Sequence, residues 1–365
     1  MSPSLHSRCE RFCARFGLRV PVLLAPMAGA SAPALSIAVA DAGGMGACGA
    51  LLMQPDQIGA WAEEVRSKSS GAMNVNLWVP DPVPLRDAGH EARVRDFLGR
   101  WGPAVPPDAG DAVPPDFAAQ CEALLSIAPP VVSSVMGVFP AEYVTRLKRK
   151  GIAWFANVST VGEARAAEDA GADVIVVQGM EAGGHRGCFD AARAEDELVG
   201  LFSLLPAAVD AVSVPVVATG GIADGRGVAA ALMLGASAVQ IGTGFLRTPE
   251  AGISHAWADA LARAEPEDTI VSRVFSGRAG RSIATRYVRA ARSADAPLPA
   301  PYPVQRGLTA AMRKQAHAAG DIDRMQAWAG QSAKLAKAKP AGELVQEIWN
   351  EAQMLIGALS LAGPQ

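Results

Sequence analysis

Short apolar runs alternate with amphipathic stretches along most of the chain. The apolar runs end at glycine, proline or asparagine, and the segments between them repeat apolar residues at about 3.6-residue spacing. Parallel strands that alternate with helices produce this pattern. The predicted strands are Val20–Ala25, Met45–Gly49, Met73–Leu77, Pro130–Ser133, Ile152–Ala156, Asp173–Val177, Val214–Thr219 and Ala236–Ile241. Eight strand-helix units predict an α/β fold, the (β/α)8 TIM barrel.

Two segments interrupt this rhythm. Residues 81–116 are rich in proline, glycine, aspartate and arginine and lack a strand run, so we expect an insertion after the third strand. Residues 247–320 contain helical stretches, a basic segment and a cluster of prolines, which predicts an inserted, mainly helical lid domain over the barrel mouth. The barrel then comprises residues 1–246 and 321–365, with the amphipathic segment Glu343–Leu359 as a helix on its wall.

Length and charge narrow the possible partners. A chain of 365 residues holds one barrel of about 250 residues plus a lid. The net charge is −3 and no cluster of Lys and Arg contains interleaved aromatic residues, so a small molecule is a better partner than nucleic acid or an anionic membrane. No signal-peptide pattern or apolar window of about 18 residues occurs, and we expect a cytoplasmic monomer or homodimer.

The cysteines indicate neither disulfides nor a metal site. There are 5 of them, an odd number scattered over the chain, which argues against a disulfide framework. Cys9 and Cys13 have i,i+4 spacing, but nothing nearby completes a set of metal ligands. We therefore expect reduced thiols and no bound metal.

Two glycine-rich turns follow the last two predicted strands. Gly220 and Gly221 come after the seventh strand, and Gly242 and Thr243 come after the eighth. Glycine lets backbone N–H groups approach an anion closely, and a helix amino end near Asp224 would add a favourable dipole. Barrels commonly bind phosphate at these two loops. The turns therefore predict a phosphate site, although either turn alone is equally consistent with a tight reversal of the chain.

A third glycine-rich loop, residues 178–187, follows the sixth predicted strand. Gly183 and Gly184 would let the backbone approach a flat ring, and His185 would point into the barrel mouth. Histidine has an unperturbed pKa near neutrality, so it can exchange a proton with a substrate. Gln178 offers an amide that both donates to and accepts from a heterocycle. The position after a barrel strand favours a catalytic histidine over a structural one.

Two more strand ends offer groups for the same ring. The first strand runs into Ala25, Pro26 and Met27, where proline fixes the turn and methionine presents a polarisable surface to an aromatic system. Asn76 ends the third strand and supplies a polar partner. Met27 taken alone would more often be a core residue.

Together these motifs resemble the nitronate monooxygenase family, formerly called 2-nitropropane dioxygenase. The resemblance extends from about Val20 to Ser332 and includes Ser276-Gly277-Arg278 and Tyr302-Pro303 in the predicted lid. It implies FMN across the barrel mouth and oxidation of alkyl nitronates with O2 to a carbonyl compound and nitrite, and it leaves open whether neutral nitroalkanes are used as well. It implies no need for nicotinamide or metal.

The resemblance also implies a role for each matching residue. His185 would be the catalytic base or the hydrogen-bond donor to the nitro group. Met27, Asn76 and Gln178 would contact the flavin ring. The phosphate would be held by Gly184, Gly220, Gly221, Gly242 and Thr243, and the cofactor would also contact Gly330, Gln331 and Ser332.

Two positions depart from the family pattern. A Phe-His-Phe-Gly run is common after the fourth strand, whereas this chain has Ser134-Val135-Met136-Gly137, and the glutamine often found before Ala-Pro-Met is Leu24. We expect an intact flavin site with a substrate pocket altered toward a more apolar or bulkier ligand.

Two other functions stay open on the sequence alone. A flavin-dependent enoyl-acyl-carrier-protein reductase has the same fold and the Gly-Gly-His loop but needs NAD(P)H and a long acyl groove. A non-catalytic barrel that binds flavin or a phosphometabolite is the third interpretation, and the retained His185 argues against it.

Overall fold

Within residues 4–360, which the computed structural model of the protein describes, eight parallel strands close into a barrel. The strands of the whole described chain are β1 (Val22–Leu24), β2 (Met45–Gly49), β3 (Ala72–Trp78), β4 (Val131–Val135), β5 (Ala153–Val158), β6 (Val174–Gln178), β7 (Gly184–His185), β8 (Val216–Thr219), β9 (Ala238–Ile241), β10 (Thr269–Ser272) and β11 (Gly280–Ile283). The barrel order is β1-β2-β3-β4-β5-β6-β8-β9, and β9 pairs with β1 to close it. The predicted (β/α)8 barrel is confirmed, with strand bounds that are slightly displaced.

Helices follow most of the barrel strands and cover the barrel from outside. The helices of the whole described chain, including those of the insertion and the lid, are α1 (Leu5–Phe16), α2 (Pro33–Asp41), α3 (Pro55–Lys68), α4 (Ala88–Leu98), α5 (Phe117–Ile127), α6 (Ala141–Arg149), α7 (Val161–Asp169), α8 (Leu201–Ala211), α9 (Gly225–Met233), α10 (His255–Arg263), α11 (Arg286–Ala291), α12 (Val304–Leu308), α13 (Ala310–Ala319) and α14 (Ala341–Ser360). Short 3-10 turns lie at Ala109–Asp111, Ala191–Arg193, Thr243–Phe245, Pro266–Asp268 and Ala333–Leu335. None of the helices in this described range is long and apolar enough to cross a membrane.

Side-chain alternation along each strand separates the barrel interior from the layer under the helices. In β6, Val174 and Val176 belong to the interior cluster, whereas Ile175 and Val177 pack into the apolar layer between strands and helices. Phe12 of α1 joins the interior cluster where the strands begin. The amino-terminal half of the barrel is therefore a filled core, and space for a ligand is left only toward the carboxyl ends.

The terminal helix α14 returns to the barrel, as the sequence analysis expected. Leu344, Val345 and Ile348 are buried in the same apolar cluster as Val228 and Leu232 of α9. The amphipathic spacing of the helix produces this one-sided burial.

The lid segment contains a small sheet that the sequence analysis did not predict. Among the described residues, β10, β11 and β7 form an antiparallel three-stranded sheet in the order β10-β11-β7. Gly280 pairs with His185 and Arg281 pairs with Gly184. A loop of the barrel is thereby hydrogen-bonded to a strand of the lid.

The insertion after β3 packs against the lid. Val94 and Leu98 of α4 share a buried cluster with Phe275, Tyr287 and other residues from the lid. This packing supports a lid made of residues 247–320 with the insertion 81–116 against it, and the exact domain division stays a prediction.

The burial of Phe12 at the amino-terminal end of the barrel gives a stability prediction. Phe12 is 2% exposed and its ring lies 4.9 Å from that of Phe16 and 6.2 Å from that of Phe155, centroid to centroid. We expect Phe12→Ala to lower the free energy of unfolding by about 3–5 kcal/mol, because it removes buried apolar surface and leaves a cavity. Phe202 of α8, which is 74% exposed, is the matched control: in urea titrations Phe202→Ala should change stability by no more than about 0.5 kcal/mol. Equal effects of the two variants on stability would contradict the assignment of Phe12 to the buried core of the barrel.

Candidate active site

The interior-facing positions change from apolar to polar toward the carboxyl ends of the strands. In β3 and β6, Asn76 and Gln178 continue the interior-facing rows of the two strands. Polar residues within the barrel strands, at or near their carboxyl ends, line one cavity of about 370 Å³: Asn76, Ser133, Asn157, Gln178, Thr219 and Gln240. This is the end of a barrel at which catalytic groups are found.

The structure brings nearly all of the predicted site residues to this cavity. Its lining includes Ala25, Pro26, Met27, Asn76, Gln178, Gly183, Gly184, His185, Gly220, Gly221, Gly242, Thr243, Gly330 and Ser332. Gln331 lies outside this lining, and its backbone N–H donates to the carbonyl of Glu181 at 2.9 Å. Of the two departures from the family pattern, Val135 lines the cavity, whereas Leu24 is buried in the layer under the helices. Only Val135 changes the pocket directly.

His185 lies between aromatic rings. Its ring centroid is 4.8 Å from that of Trp78 and 4.8 Å from that of Trp328. Its Nε2 atom is hydrogen-bonded to Oγ of Ser276 at 2.8 Å. The imidazole is thus fixed by a lid residue on one nitrogen and by two rings on its sides, so its orientation depends on the lid being in place.

Burial, and after it the positive charges of Arg278, Arg306 and Arg313, together lower the pKa of His185 from 6.5 to about 3. The imidazole is therefore neutral at physiological pH. A neutral imidazole has one N–H donor and one lone pair, so it can donate to a substrate or accept from it but does not attract an anion by charge.

Gln178 organises the histidine loop. Its Nε2 donates to the carbonyl of His185 at 3.1 Å, and its Oε1 accepts from the N–H of Gly187 at 2.8 Å. Both polar ends of the amide are therefore bound to the loop backbone. The predicted amide contact with a heterocycle would compete with these two bonds.

The glycine turns meet in a close-packed cradle. A Cβ on Gly183 would lie 2.5 Å from the backbone nitrogen of Gly330, and the N–H of Gly330 donates to Oγ1 of Thr243 at 3.0 Å. Gly220 and Gly221 have φ values of 109° and 71°, which favour glycine. Backbone atoms thus form the cavity wall where side chains would otherwise fill it, as a flat cofactor with a phosphate requires.

At the amino end of α9, which the sequence analysis expected to add a favourable dipole, two N–H groups are capped by carboxylates of the chain. The N–H of Gly225 donates to Oε2 of Glu351 at 2.8 Å, and the N–H of Gly227 donates to Oδ1 of Asp224 at 3.2 Å. Two carboxylates satisfy this helix end and oppose a further anion. The phosphate grip would rest on the loop backbone and on Thr243.

Two buried donors of the cavity wall lack partners among the described residues. They are Nε1 of Trp78 and Nδ2 of Asn157. Unpaired buried donors are costly unless a ligand accepts from them. The wall is therefore suited to a ligand with several acceptor atoms, such as a flavin ring or a nitro group.

Several cavity residues were missed by the sequence analysis. Trp78 faces inward because it lies two residues after Asn76 on the same strand, so strand alternation could have identified it. Ser276 and Tyr302 were part of the lid motifs, but nothing in the pattern placed them beside His185. Arg306 and Arg313 carried no signal at all. No group of three or more metal-ligating side chains occurs within residues 4–360.

The fold and the cavity define an enzyme of the TIM-barrel class with a cofactor-sized site at the carboxyl ends of its strands. The nitronate monooxygenase family model matches residues 10–351. A probable nitronate monooxygenase of Staphylococcus aureus (strain Newman) is 33% identical over 350 residues, covering 95% of this chain and 98% of the relative. The chain belongs to the nitronate monooxygenase family, whose members are flavin-dependent oxidoreductases.

Solved structures agree with this assignment. The nitroalkane oxidase from Streptomyces ansochromogenes has a TM-score of 0.87 at 36% identity, over 96% of this chain and 99% of that one. FabK from Thermotoga maritima has a TM-score of 0.74 at 28% identity, over 96% and 98% of the two chains. The predicted family is confirmed.

The cradle gives a prediction for cofactor binding. Gly183→Ala should weaken flavin binding by about 1–3 kcal/mol, because the added methyl group collides with the backbone at Gly330. The measurement is the flavin absorbance retained per protein after dialysis. Gly59→Ala in α3 is the matched control, since a Cβ there meets nothing within 4 Å and the flavin content should not change. Full flavin retention by Gly183→Ala would argue against a cofactor at this wall.

The neutral state of His185 gives a pH prediction. Its pKa is about 3 in the fold instead of the usual 6.5, so lowering the pH through 6.5 does not protonate it. We expect kcat/KM of the wild-type protein to show no inflection near pH 6.5 between about pH 5 and 8. A fall in rate centred near pH 6.5 that disappears in His185→Asn would show that the imidazole titrates normally and would contradict the prediction.

Proposed function

We propose that the protein binds FMN and oxidises alkyl nitronates with O2 to a carbonyl compound and nitrite. The observation that carries this proposal is the neutral, lid-anchored His185 at the mouth of a cradle of glycine loops, in a chain that belongs to this family. The cavity wall of aromatic rings and unpaired donors supports a small substrate with an oxygen-rich group.

The residues present fit FMN. The backbone at Gly220, Gly221 and Gly242 with the hydroxyl of Thr243 would hold the phosphate, and Met27 and Asn76 would lie against the ring system. Bound FMN would supply the electron acceptor for the oxidation. The chain itself positions the substrate and handles its proton.

Ser276 determines which nitrogen of His185 is available to the substrate. Its Oγ can donate to the carbonyl of Arg278 at 3.2 Å. With the hydroxyl proton used in this way, Ser276 accepts from Nε2–H of His185, which leaves the lone pair on Nδ1 for a proton from a neutral nitroalkane. An anionic nitronate has already lost that proton, so His185 would then act through its orientation and not as a base.

An NAD(P)H-using FMN oxidoreductase of the same fold, such as an enoyl-acyl-carrier-protein reductase, is the second candidate. The likeness to FabK extends over 96% of the chain but is weaker than that to the nitroalkane oxidase. Val135 favours neither reaction, because an apolar residue at this wall suits any apolar substrate.

The two functions separate in an anaerobic mixing experiment. We expect propionate 3-nitronate to bleach the flavin of the purified protein, and NAD(P)H to leave it oxidised. Bleaching by NAD(P)H alone would select the second candidate. If neither compound changes the spectrum, both candidate functions fail.

His185→Asn tests the assigned proton acceptor. We expect turnover of a neutral nitroalkane to fall about 10²- to 10⁴-fold, because asparagine retains a hydrogen-bonding side chain but accepts no proton. Turnover of the nitronate should fall much less. His317→Asn, on the exposed face of α13, is the matched control and should leave both rates unchanged. Unchanged nitroalkane turnover in His185→Asn would remove His185 from the mechanism.

A further inference from the structure

Two arginines of the lid reach the cavity. Arg306 belongs to α12 and Arg313 to α13, which follows it after one residue. Nη2 of Arg313 donates to the backbone carbonyl of Arg306 at 2.9 Å, so the side chain of Arg313 is fixed against the backbone of α12. Both guanidinium groups are partly removed from water, and burial lowers the pKa of each, that of Arg313 to about 10.

Neither arginine has a carboxylate partner among the described residues. Arg313 donates to neutral acceptors, Oγ1 of Thr309 and Oε1 of Gln326, each at 3.1 Å. The guanidinium of Arg306 makes no hydrogen bond or ion pair with any residue in 4–360. In contrast, Arg278, whose charge also acts on His185, is neutralised by Asp81, with Nε donating to Oδ2 at 2.8 Å.

The cavity as a whole carries uncompensated positive charge. No aspartate or glutamate occurs among the described residues that line it, and His185 is neutral. A partly buried cation without a counter-ion is unfavourable. The charge is compensated when an anionic ligand occupies the cavity, and the unpaired N–H of Trp78 would add a second donor to it.

The position of Arg306 separates this anion site from the phosphate cradle. The charged or titratable groups that interact with Arg306 are Tyr302, Arg313 and His185. Tyr302 stacks on Trp78 at 5.0 Å with an interplanar angle of 10°, and Trp78 packs on His185. Arg306 therefore belongs to the wall around the histidine, where the substrate would react, and not to the loops after β8 and β9.

We propose that Arg306 is the specificity-determining residue that pairs with the negative charge of the substrate and makes the protein select a nitronate over its neutral nitroalkane. This inference rests on the proposed function. The end of β4 is apolar because Val135 lies there, so the barrel wall offers no charged group at this position. In this proposal the lid recognises the charge of the substrate. His185 orients the substrate or accepts its proton, and Arg306 binds its charge.

The kinetic test compares ethyl nitronate with nitroethane at one pH. A lost charge-assisted hydrogen bond should raise KM of Arg306→Met for the nitronate about 10- to 100-fold, with kcat little changed and KM for nitroethane within about 3-fold. Arg306→Lys keeps the charge and should recover part of the nitronate affinity. Arg292→Met, an exposed arginine of the lid, is the matched control and should change neither KM.

A binding test separates this inference from the proposed function. Nitrate is a planar oxyanion that the protein cannot oxidise, and its affinity for the flavin-loaded protein is measured by calorimetry. We expect Arg306→Met to weaken nitrate at least about 10-fold at unchanged flavin content and melting temperature, and Arg292→Met to leave it unchanged. Equal nitrate affinity in wild type and Arg306→Met would overturn the inference.

Other combinations of kinetic and binding results for Arg306→Met distinguish failure of this inference from failure of the proposed function. If nitronates are turned over with an unchanged KM in Arg306→Met, the inference fails and the proposed function stands. If nitrate binding depends on Arg306 but no nitronate is turned over, the proposed function fails and the assigned substrate selectivity fails with it. An effect of Arg306→Met on NADPH affinity in place of nitronate affinity would equally overturn the inference.

Discussion

The pairing of Gly184–His185 with strand β11 is the interaction on which the site depends. The histidine loop leaves the barrel after β6 and would otherwise be an irregular glycine-rich segment. Backbone pairing with Gly280 and Arg281 fixes its direction from the lid side, and the amide of Gln178 fixes it from the barrel side. Because the same lid segment supplies Ser276 to the imidazole, the loop, the lid and the histidine are ordered together.

The barrel itself imposes the second constraint. Strand alternation directs every second side chain inward, and the apolar layer closed by Phe12 fills the amino-terminal half. A ligand can enter only above this layer, where the inward positions become polar and the glycine turns bring backbone to the surface of the cavity. The barrel therefore provides the glycine loops of the proposed cofactor cradle, and the lid provides Ser276, Arg306 and Arg313 at the other side of the cavity.

The charged side chains that line the cavity come from the lid and not from the barrel. The carboxylates near the cavity are used elsewhere: Asp81 neutralises Arg278, and Glu351 binds the amide of Gly225. The interior thus retains positive charge from the lid, and burial together with this charge keeps His185 neutral. A neutral histidine next to an unpaired cation separates two tasks, orientation or proton transfer on one side and recognition of charge on the other.

The sequence by itself determined the barrel, because buried parallel strands and amphipathic helices leave local patterns that survive in any context. It also determined the cofactor side of the site, since the glycine turns, Met27 and Asn76 follow strands whose carboxyl ends meet at one edge. Only the tertiary structure placed Ser276, Trp78, Arg306 and Arg313 around His185 and formed the sheet that includes it. These contacts join residues about a hundred positions or more apart, and the charge environment of a side chain depends on such neighbours, which no local pattern records.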